Sequence, residues 1–504
     1  MSKADKLYED QREIHDNIVA YAIKLRQDVS ARKQEKELVG DLLETAEEVE
    51  KTEQPVWPKQ LLLGYAGTGK TTTIAAIVET LLNKGFRVIV AAPTHKAVNV
   101  AKRKSGIDGE FYTIQRVLSV KAKPNYETGE MDFEPDYQAP FSLDANTVLC
   151  IDETSMLPNN LFKYMMESSS NMYPVIFIGD DAQIPPVNDA KVKEILDCPL
   201  FIPEVRNAHH IQVNKLEKVR RQALDNPILS LATHIREHRS VNMQYTDKAK
   251  QFAQVDEEGN GISFSINDSA GDIKLATEWF TSQAYKTDPD YCRIIAYRNE
   301  TVNGYNRELR RIIYGKEQAD SNVFVIGERI MFYEPYSIPD SFGRGRQVIF
   351  NNSAEAEVLS VTPVSRKFNV PSSVRGDTII TETVVISCYE LLLFDHNEGE
   401  RRKVVVPADR EAANRLLVDN VSAVAKKCFG VVRKNIYKSM FALKEQLAWI
   451  DYAYAITAHK SQGSTYQNAF VAAWDIQTNF KVTERNRIMY VAVTRAAKRL
   501  HISC

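Results

Sequence analysis

Between the apolar run Leu61–Leu63 and a segment with helical spacing of Ile74, Ile77, Val78, Leu81 and Leu82 stands GYAGTGKT, residues 64–71. Few folds can carry this, because a buried strand must deliver the chain into a glycine loop that itself opens a helix. The glycines let backbone N–H groups curl around phosphates, and the helix N-terminus adds positive potential. The Lys70 ammonium reaches the outer phosphates and the Thr71 hydroxyl can hold Mg²⁺. The expected ligand is a nucleoside triphosphate, cradled by Gly64, Gly67, Thr68, Gly69, Lys70, Thr71 and Thr72. GxxxxGKT between strand and helix argues against an ordinary glycine turn.

A chain of 504 residues exceeds what one core usually organises, so two to four domains are expected. Lys and Arg number 64 against 66 Asp and Glu, a net charge of -2, so no global positive field attracts a polyanion and any nucleic-acid contact must use a local groove. The six cysteines have no CxxC or regular spacing, which argues against a zinc module or a disulfide framework and for a reducing compartment. The N-terminus MSKADKLYEDQREIHDNIV is too charged for a signal peptide, and no stretch approaches the ~18 apolar residues of a membrane span.

Ile14, Ile18, Tyr21, Ala22 and Leu25 share one face of a helix expected over Leu7–Arg26, and the charged stretch 27–56 reads as an exposed helix or a mobile insertion. Apolar runs then alternate with helical patterns: LLLG, RVIVAAP at 87–93, TVLCIDE at 147–153 and PVIFIGD at 174–180. That order predicts a parallel α/β sheet. Residues 119–145 interrupt it with a hairpin centred on ETGE at 127–130. A second α/β region is read from RIIAY at 293–297, a helix over Asn299–Ile313, NAFVAAW at 468–474, a helix over Arg485–Thr494 and the terminal LHIS. Between its halves, residues 329–407 read as short strands consistent with a small barrel, followed by helix to about residue 445.

The run Val148–Ile151 feeds into Asp152 and Glu153, placing two carboxylates at the carboxyl end of a buried strand, where open α/β sheets bind ligands. Asp152 suits Mg²⁺ held through water; Glu153 suits orienting and deprotonating the water that attacks the γ-phosphate. The next strand ends in GDDAQIPPV at 179–187, where the Gln183 amide can both donate and accept and so register phosphate and water together.

The series GYAGTGKTT, AAPTHKA (91–97), TIQRVL (113–118), CIDETSM (150–156), GDDAQIPPV, LEKVRRQ (216–222), AITAHKSQGST (455–465) and YVAVTRA (490–496) resembles a superfamily 1 helicase, specifically the B branch of RecD-like and Dda-like proteins. The resemblance spans most of the chain in family order and implies ATP and Mg²⁺ as cofactors and 5′→3′ movement on single-stranded DNA. It implies two RecA-like motor domains with a hairpin insert and a small β-barrel, SH3-like insert. The parts are 1–118 and 146–204 for the first motor domain, 119–145 for the hairpin, 205–328 and 446–504 for the second motor domain, and 329–445 for the β-rich insert. Gln11 matches the adenine-reading glutamine, and Gly463 joins the nucleotide contacts. Arg221 and Arg495 resemble the arginines that reach the γ-phosphate; Arg298 and Tyr297 are lesser candidates for phosphate and base. For nucleic acid the resemblance points to Thr94, His95, Lys96, Thr113, Gln115, Thr457, His459 and Lys460, types that grip phosphate without reading base edges. Phe133 is the candidate strand-separating pin, although a hairpin with its aromatics buried on its own domain is also open. The 329–407 insert can hold DNA, contact a partner or serve as support.

The expected partners are single-stranded and duplex DNA, with single-strand-binding or replisome proteins beyond them, in the cytoplasm of a bacterial or phage-infected cell. HIREH at 234–238 matches HxxEH, but Arg236 and Arg239 crowd it with positive charge and no third ligand is evident, so a solvated helix face is expected there. Rival readings are an RNA helicase, a nucleotide-gated remodeller that separates no strands, and an NTP-dependent nuclease subunit, for which no nuclease motif appears.

Overall fold

The computed structural model describes residues 2–42, 58–106, 109–137, 140–168, 173–186, 198–219, 226–237, 251–288, 290–339, 346–396 and 398–504. The chain forms two compact units, one of Met1–Lys121, Pro135–Asn267 and Ser461–Cys504, the other of Ala122–Glu134 and Asp268–Lys460.

In the first unit, helix α1 (Glu9–Leu42) precedes strand β1 (Lys59–Gly64), helix α2 (Lys70–Asn83), strand β2 (Arg87–Ala92), helix α3 (His95–Ser105) and strand β3 (Glu110–Thr113). The hairpin strands β4 (Val120–Asn125) and β5 (Glu130–Pro135) follow, their span Ala122–Glu134 belonging to the second unit, then, again in the first, β6 (Thr147–Ile151), β7 (Val175–Gly179) and β8 (Ile211–Leu216). The order β3-β2-β6-β7-β1-β8 is parallel throughout, with β1 buried along its length between β7 and the edge strand β8. A continuous apolar strand is what a sheet covered on both faces requires. Ile14, Ile18, Val19 and Ala22 of α1 pack with Ile77, Val78 and Leu81 of α2 over Leu62, Val90, Cys150 and Ile178. Each fully buried aliphatic side chain there contributes about 1.5–3 kcal/mol. The helix runs past Arg26 into the charged stretch to Leu42, with Val29 still buried. Lys, Glu, Gln, Arg and Leu are strong helix formers, and that propensity extends the helix where the apolar face has thinned. The remainder of the charged stretch lies outside the described residues.

Strands β9 (Gln254–Val255), β10 (Gly261–Ser265), β11 (Cys292–Ala296), β12 (Arg329–Phe332), β13 (Tyr336–Pro339), β14 (Arg346–Phe350), β15 (Glu355–Arg375), β16 (Thr378–Asp395), β17 (Glu400–Pro407), β18 (Ile450–Tyr452), β19 (Ala455–Thr457), β20 (Tyr466–Ala472) and β21 (Ala496–Ser503) complete the chain. In the first unit β10, β21 and β20 are parallel neighbours, with β9 antiparallel on β10. In the second unit β11 pairs in parallel with β19 and leads into the helix Asn299–Tyr314. The chain carries two parallel-sheet RecA-like α/β domains.

The insert is an antiparallel sheet of order β17-β16-β15-β12-β18, with β13 and β14 as a separate pair. Strands β15 and β16 are 21 and 18 residues long, well beyond the short runs read from sequence. Their distal part buries Phe368, Val370 and Ile386 against the helix Gly430–Lys444, whose Ile436, Tyr437, Met440 and Phe441 face them. The described pairings establish an antiparallel insert.

Candidate functional site

Gly69 caps α2 with φ 85°, a left-handed value that costs an L-residue about 1–2 kcal/mol. Gln11 closes over this turn. Its side chain is buried, donates to the Thr68 carbonyl at 3.1 Å and accepts from the Tyr8 N–H at 3.2 Å. Thr68 is fully buried and donates to the Tyr65 carbonyl at 2.8 Å, so the loop is fixed from within. The Lys70 ammonium donates to the Gly64 carbonyl and lies 3.8 Å from Asp180.

Asp152 and Glu153 follow β6 as expected. Glu153 has φ 51°, and its N–H donates to Asp152 at 2.8 Å. A non-glycine residue in that region is uncommon. Gln183 is buried and accepts from Ser155 at 3.2 Å. Arg495 is buried with its guanidinium committed to the Val491 carbonyl at 3.1 Å, the Ser464 carbonyl at 3.0 Å and the Thr494 hydroxyl at 3.1 Å.

One cleft of 890 Å³ within the first unit gathers Gln11, Gly67, Gly69, Lys70, Thr71, Thr72, Glu153, Gln183, Gly463 and Arg495. A smaller cavity of 130 Å³ beside it is lined by Lys70, Thr71, Asp152, Glu153 and Gly463, so the two residues expected at a metal share one space. Gly463 has φ 70°, and a Cβ there would press on Ala97. Arg221 lies outside the described residues, while Tyr297 and Arg298 belong to the second unit.

Sequence reasoning missed Tyr490 and Asp180 as partners. The Tyr490 hydroxyl donates to Asp180 at 2.6 Å and accepts from the Ala66 N–H at 3.0 Å, tying the helix Val482–Val493 to the phosphate loop. Burial, then the Asp180 charge, pushes the Tyr490 phenol well above its ordinary range, so it stays a donor. Both residues stand inside quoted motifs, but nothing in their spacing announces a contact between segments so distant in the chain.

The candidate nucleic-acid residues fall in both units. Thr94 accepts from Ala97 N–H at 3.2 Å, Thr113 from Arg116 N–H at 3.3 Å and Thr457 from Lys460 N–H at 3.3 Å. All three cap helix starts, and a hydroxyl that accepts in a cap retains its own proton to donate. His95 is exposed and Gln115 half-buried, and Lys96 donates to the Tyr466 hydroxyl at 3.3 Å. In the second unit Tyr333 is clasped by two cations, the Lys460 ammonium 3.3 Å and the Arg410 guanidinium 4.6 Å from its ring centre. Arg410 also pairs with Asp451 at 2.7 Å. Burial, and next the Arg410 charge, pulls the Lys460 amine down to about 8, with Asp451 and Glu334 opposing. His459 is half-buried on the same short helix.

Phe133 is half-buried on β5, whereas Tyr126 packs edge-on against Phe441 at 6.1 Å and Phe141 against Tyr112 at 5.1 Å. Tyr137 is 87% exposed. Of the HIREH pattern, His238 lies outside the described residues, and His234 sits 5.4 Å from the Phe252 ring.

Phosphate loop, strand-end acids and a buried glutamine after the neighbouring strand, on a parallel α/β sheet, define a P-loop nucleoside triphosphatase. Residues 49–257 match the AAA domain family and residues 452–503 the UvrD-like helicase C-terminal domain. The chain is 26% identical over 489 residues to the uncharacterized protein R530 of Acanthamoeba polyphaga mimivirus, covering 87% of this chain and 94% of that one. It is also 26% identical over 440 residues to the ATP-dependent DNA helicase dda of Enterobacteria phage T4, covering 86% and 91%. A solved structure of Pif1 helicase from Bacteroides aligns over 90% of this chain and 92% of that chain at 16% identity and a TM-score of 0.40. The chain belongs to the superfamily 1B helicases of the Dda and RecD type, as a distant homologue of phage T4 Dda. It is an ATP hydrolase of that helicase family. No described helix is long and apolar enough to cross a membrane.

Proposed function

We propose that the chain is an ATP-driven motor that moves 5′→3′ along single-stranded DNA and separates duplex DNA. The observation that carries this is the single cleft uniting Gln11, Lys70, Glu153, Gln183 and Arg495. In the proposed cycle Lys70 turns from the Gly64 carbonyl to the outer phosphates, and Glu153 orients the attacking water and takes its proton. Gln183 holds that water against the γ-phosphate, while Arg495 and Arg221 meet charge developing on the transferred phosphoryl group. Thr71 and Asp152 offer the hard oxygen donors that Mg²⁺ selects, and their shared cavity supports a metal held there to neutralise phosphate charge.

Thr94, His95, Lys96, Thr113 and Gln115 in one unit and Thr457, His459 and Lys460 in the other are the proposed grips on the phosphate backbone. The capping hydroxyls suit this, having a proton left to give. The hairpin 119–145 is the proposed wedge, with Phe133 at its working face. Motor domains of 1–118 with 146–204 and of 205–328 with 446–504, and a barrel-like insert over 329–445, belong to the same reading, as do single-strand-binding or replisome partners and a bacterial or phage-infected cytoplasm.

Duplexes with either a 5′ or a 3′ overhang test the proposal. Unwinding is expected from the 5′ overhang only, with hydrolysis stimulated by DNA single strands more than by RNA. Glu153→Gln should lower turnover by about a hundredfold or more while ATP still binds. Equal hydrolysis with and without single strands, or unwinding from the 3′ overhang, would overturn it.

A further inference from the structure

A second cavity, of 290 Å³, adjoins the nucleotide cleft in the first unit, and Tyr65 and Tyr490 line both. Its remaining wall includes Arg236, Asn486, Arg487 and Asp181. Arg236 reaches it from the helix Pro227–Glu237, its guanidinium stacked 3.7 Å from the centre of the Tyr65 ring in the phosphate loop. One terminal nitrogen, Nη2, donates to Glu237 at 2.9 Å. The other, Nη1, is buried and has no hydrogen-bond partner among the described residues; the same holds for the Asn486 side-chain nitrogen. An orphaned buried donor costs about 1–3 kcal/mol, and two lining one cavity point to an acceptor that fills it. Both donors, with Arg487 adding charge, favour a compact oxyanion. Asp181 is the opposing group, and burial, then the neighbouring Asp180 charge, pushes its carboxyl up toward the protonated form.

We propose that this cavity is a second oxyanion site, which takes inorganic phosphate leaving the cleft after hydrolysis, with Arg236 and Asn486 as its donors. The HIREH segment therefore has a use other than metal binding: its arginine faces the back of the phosphate loop. The proposal rests on the assignment of the adjoining cleft to ATP. Phosphate reaching the cavity from solution would meet the same donors, so the test separates the two sources.

Inorganic phosphate is titrated into the full chain saturated with a non-hydrolysable ATP analogue, which keeps the added ion out of the cleft. Saturable binding is expected, weakened about tenfold or more by Arg236→Gln, in line with loss of a charge-assisted hydrogen bond, and by a smaller factor by Asn486→Leu. In single turnovers, Arg236→Gln should leave the cleavage step within about twofold and slow phosphate release by roughly fivefold, the signature of a release step separate from chemistry. Asn486→Leu, on another helix, serves if Arg236→Gln does not fold. Phosphate that fails to bind the analogue-filled chain, or binds it equally in both variants, overturns the site. Binding from solution with release unchanged in both variants overturns the release role. If the analogue itself fails to bind, the cleft assignment falls instead, and titration of the Lys70→Ala chain then decides the oxyanion site by the same outcomes.

Discussion

Lys460 shows how one side chain can be legible in type and illegible in state. Its motif, TAHKSQGST, is plain in the sequence, but its place against Tyr333 is not, because MFYEPY belongs to a distant insert with no basic stripe to mark it. The consequence is a titration. The amine is pulled from 10.5 to about 8, so the folded chain binds fewer protons than the unfolded chain between those values. The stability this group contributes is therefore complete above the unfolded value and is lost as pH falls through the folded one. Below that point the ammonium is charged, and this is the form that can hold a phosphate. Affinity for a labelled single strand, followed by fluorescence anisotropy at fixed ionic strength, should weaken several-fold from about pH 7 to about pH 9. Lys460→Arg should flatten the profile, because a guanidinium stays charged throughout. Lys460→Ala should reduce the slope of log affinity against log salt by about 0.7, one phosphate's worth for a single strand. An unchanged slope would remove Lys460 from the grip.

The hairpin is the element whose existence was legible and whose support was not. ETGE announces a turn, and Gly129 indeed takes φ 79° there, its N–H donating to the Asn125 carbonyl at 2.8 Å. The sequence cannot say that a Cβ at Gly129 would run into the Tyr437 ring, or that Tyr126 packs on Phe441 of the same helix. The parallel strands were legible for the opposite reason: strands buried on both faces are apolar without interruption, whereas β8, IQVNKL, is half exposed and carries no such signal. The long arm of β15 and β16 hid for the same cause, since its middle alternates with exposed polar residues. Gly129→Ala adds a left-handed strain of about 1–2 kcal/mol and a clash with Tyr437, so the hairpin should lose its seat on that helix. Duplex separation is expected to fall by roughly tenfold while single-strand-stimulated ATP hydrolysis holds within about twofold. Both are measured on the same preparation, and unwinding at the wild-type rate would show that the hairpin's seat does not matter to strand separation.

At the scale of the whole molecule the informative place is one of the points where the chain passes between units, the one between Lys460 and Ser461. It cuts a motif that sequence reasoning treated as one. On the Lys460 side stand Thr457, His459 and Lys460, three of the residues proposed to hold DNA. On the other, Gln462 is buried and donates to the Ile184 carbonyl at 2.8 Å, one residue from Gln183, and Gly463 borders the nucleotide cleft. A single short peptide therefore carries both a proposed grip and a residue bonded beside the proposed sensor. Coupling between two ligands is reciprocal: if a bound ATP analogue changes the affinity for a single strand, the strand must change the affinity for the analogue by the same factor. A factor of about tenfold is expected for the native chain, within the usual range for coupled sites. Gln462→Ala cuts the tie to Ile184 without removing any group proposed to touch nucleotide or DNA. Both ratios should then collapse together toward about one, with each ligand's separate affinity within about threefold of native. Calorimetry gives the four constants. If both ratios survive the substitution, coupling runs by another route and the TAHKSQGST peptide is only a hinge of sequence.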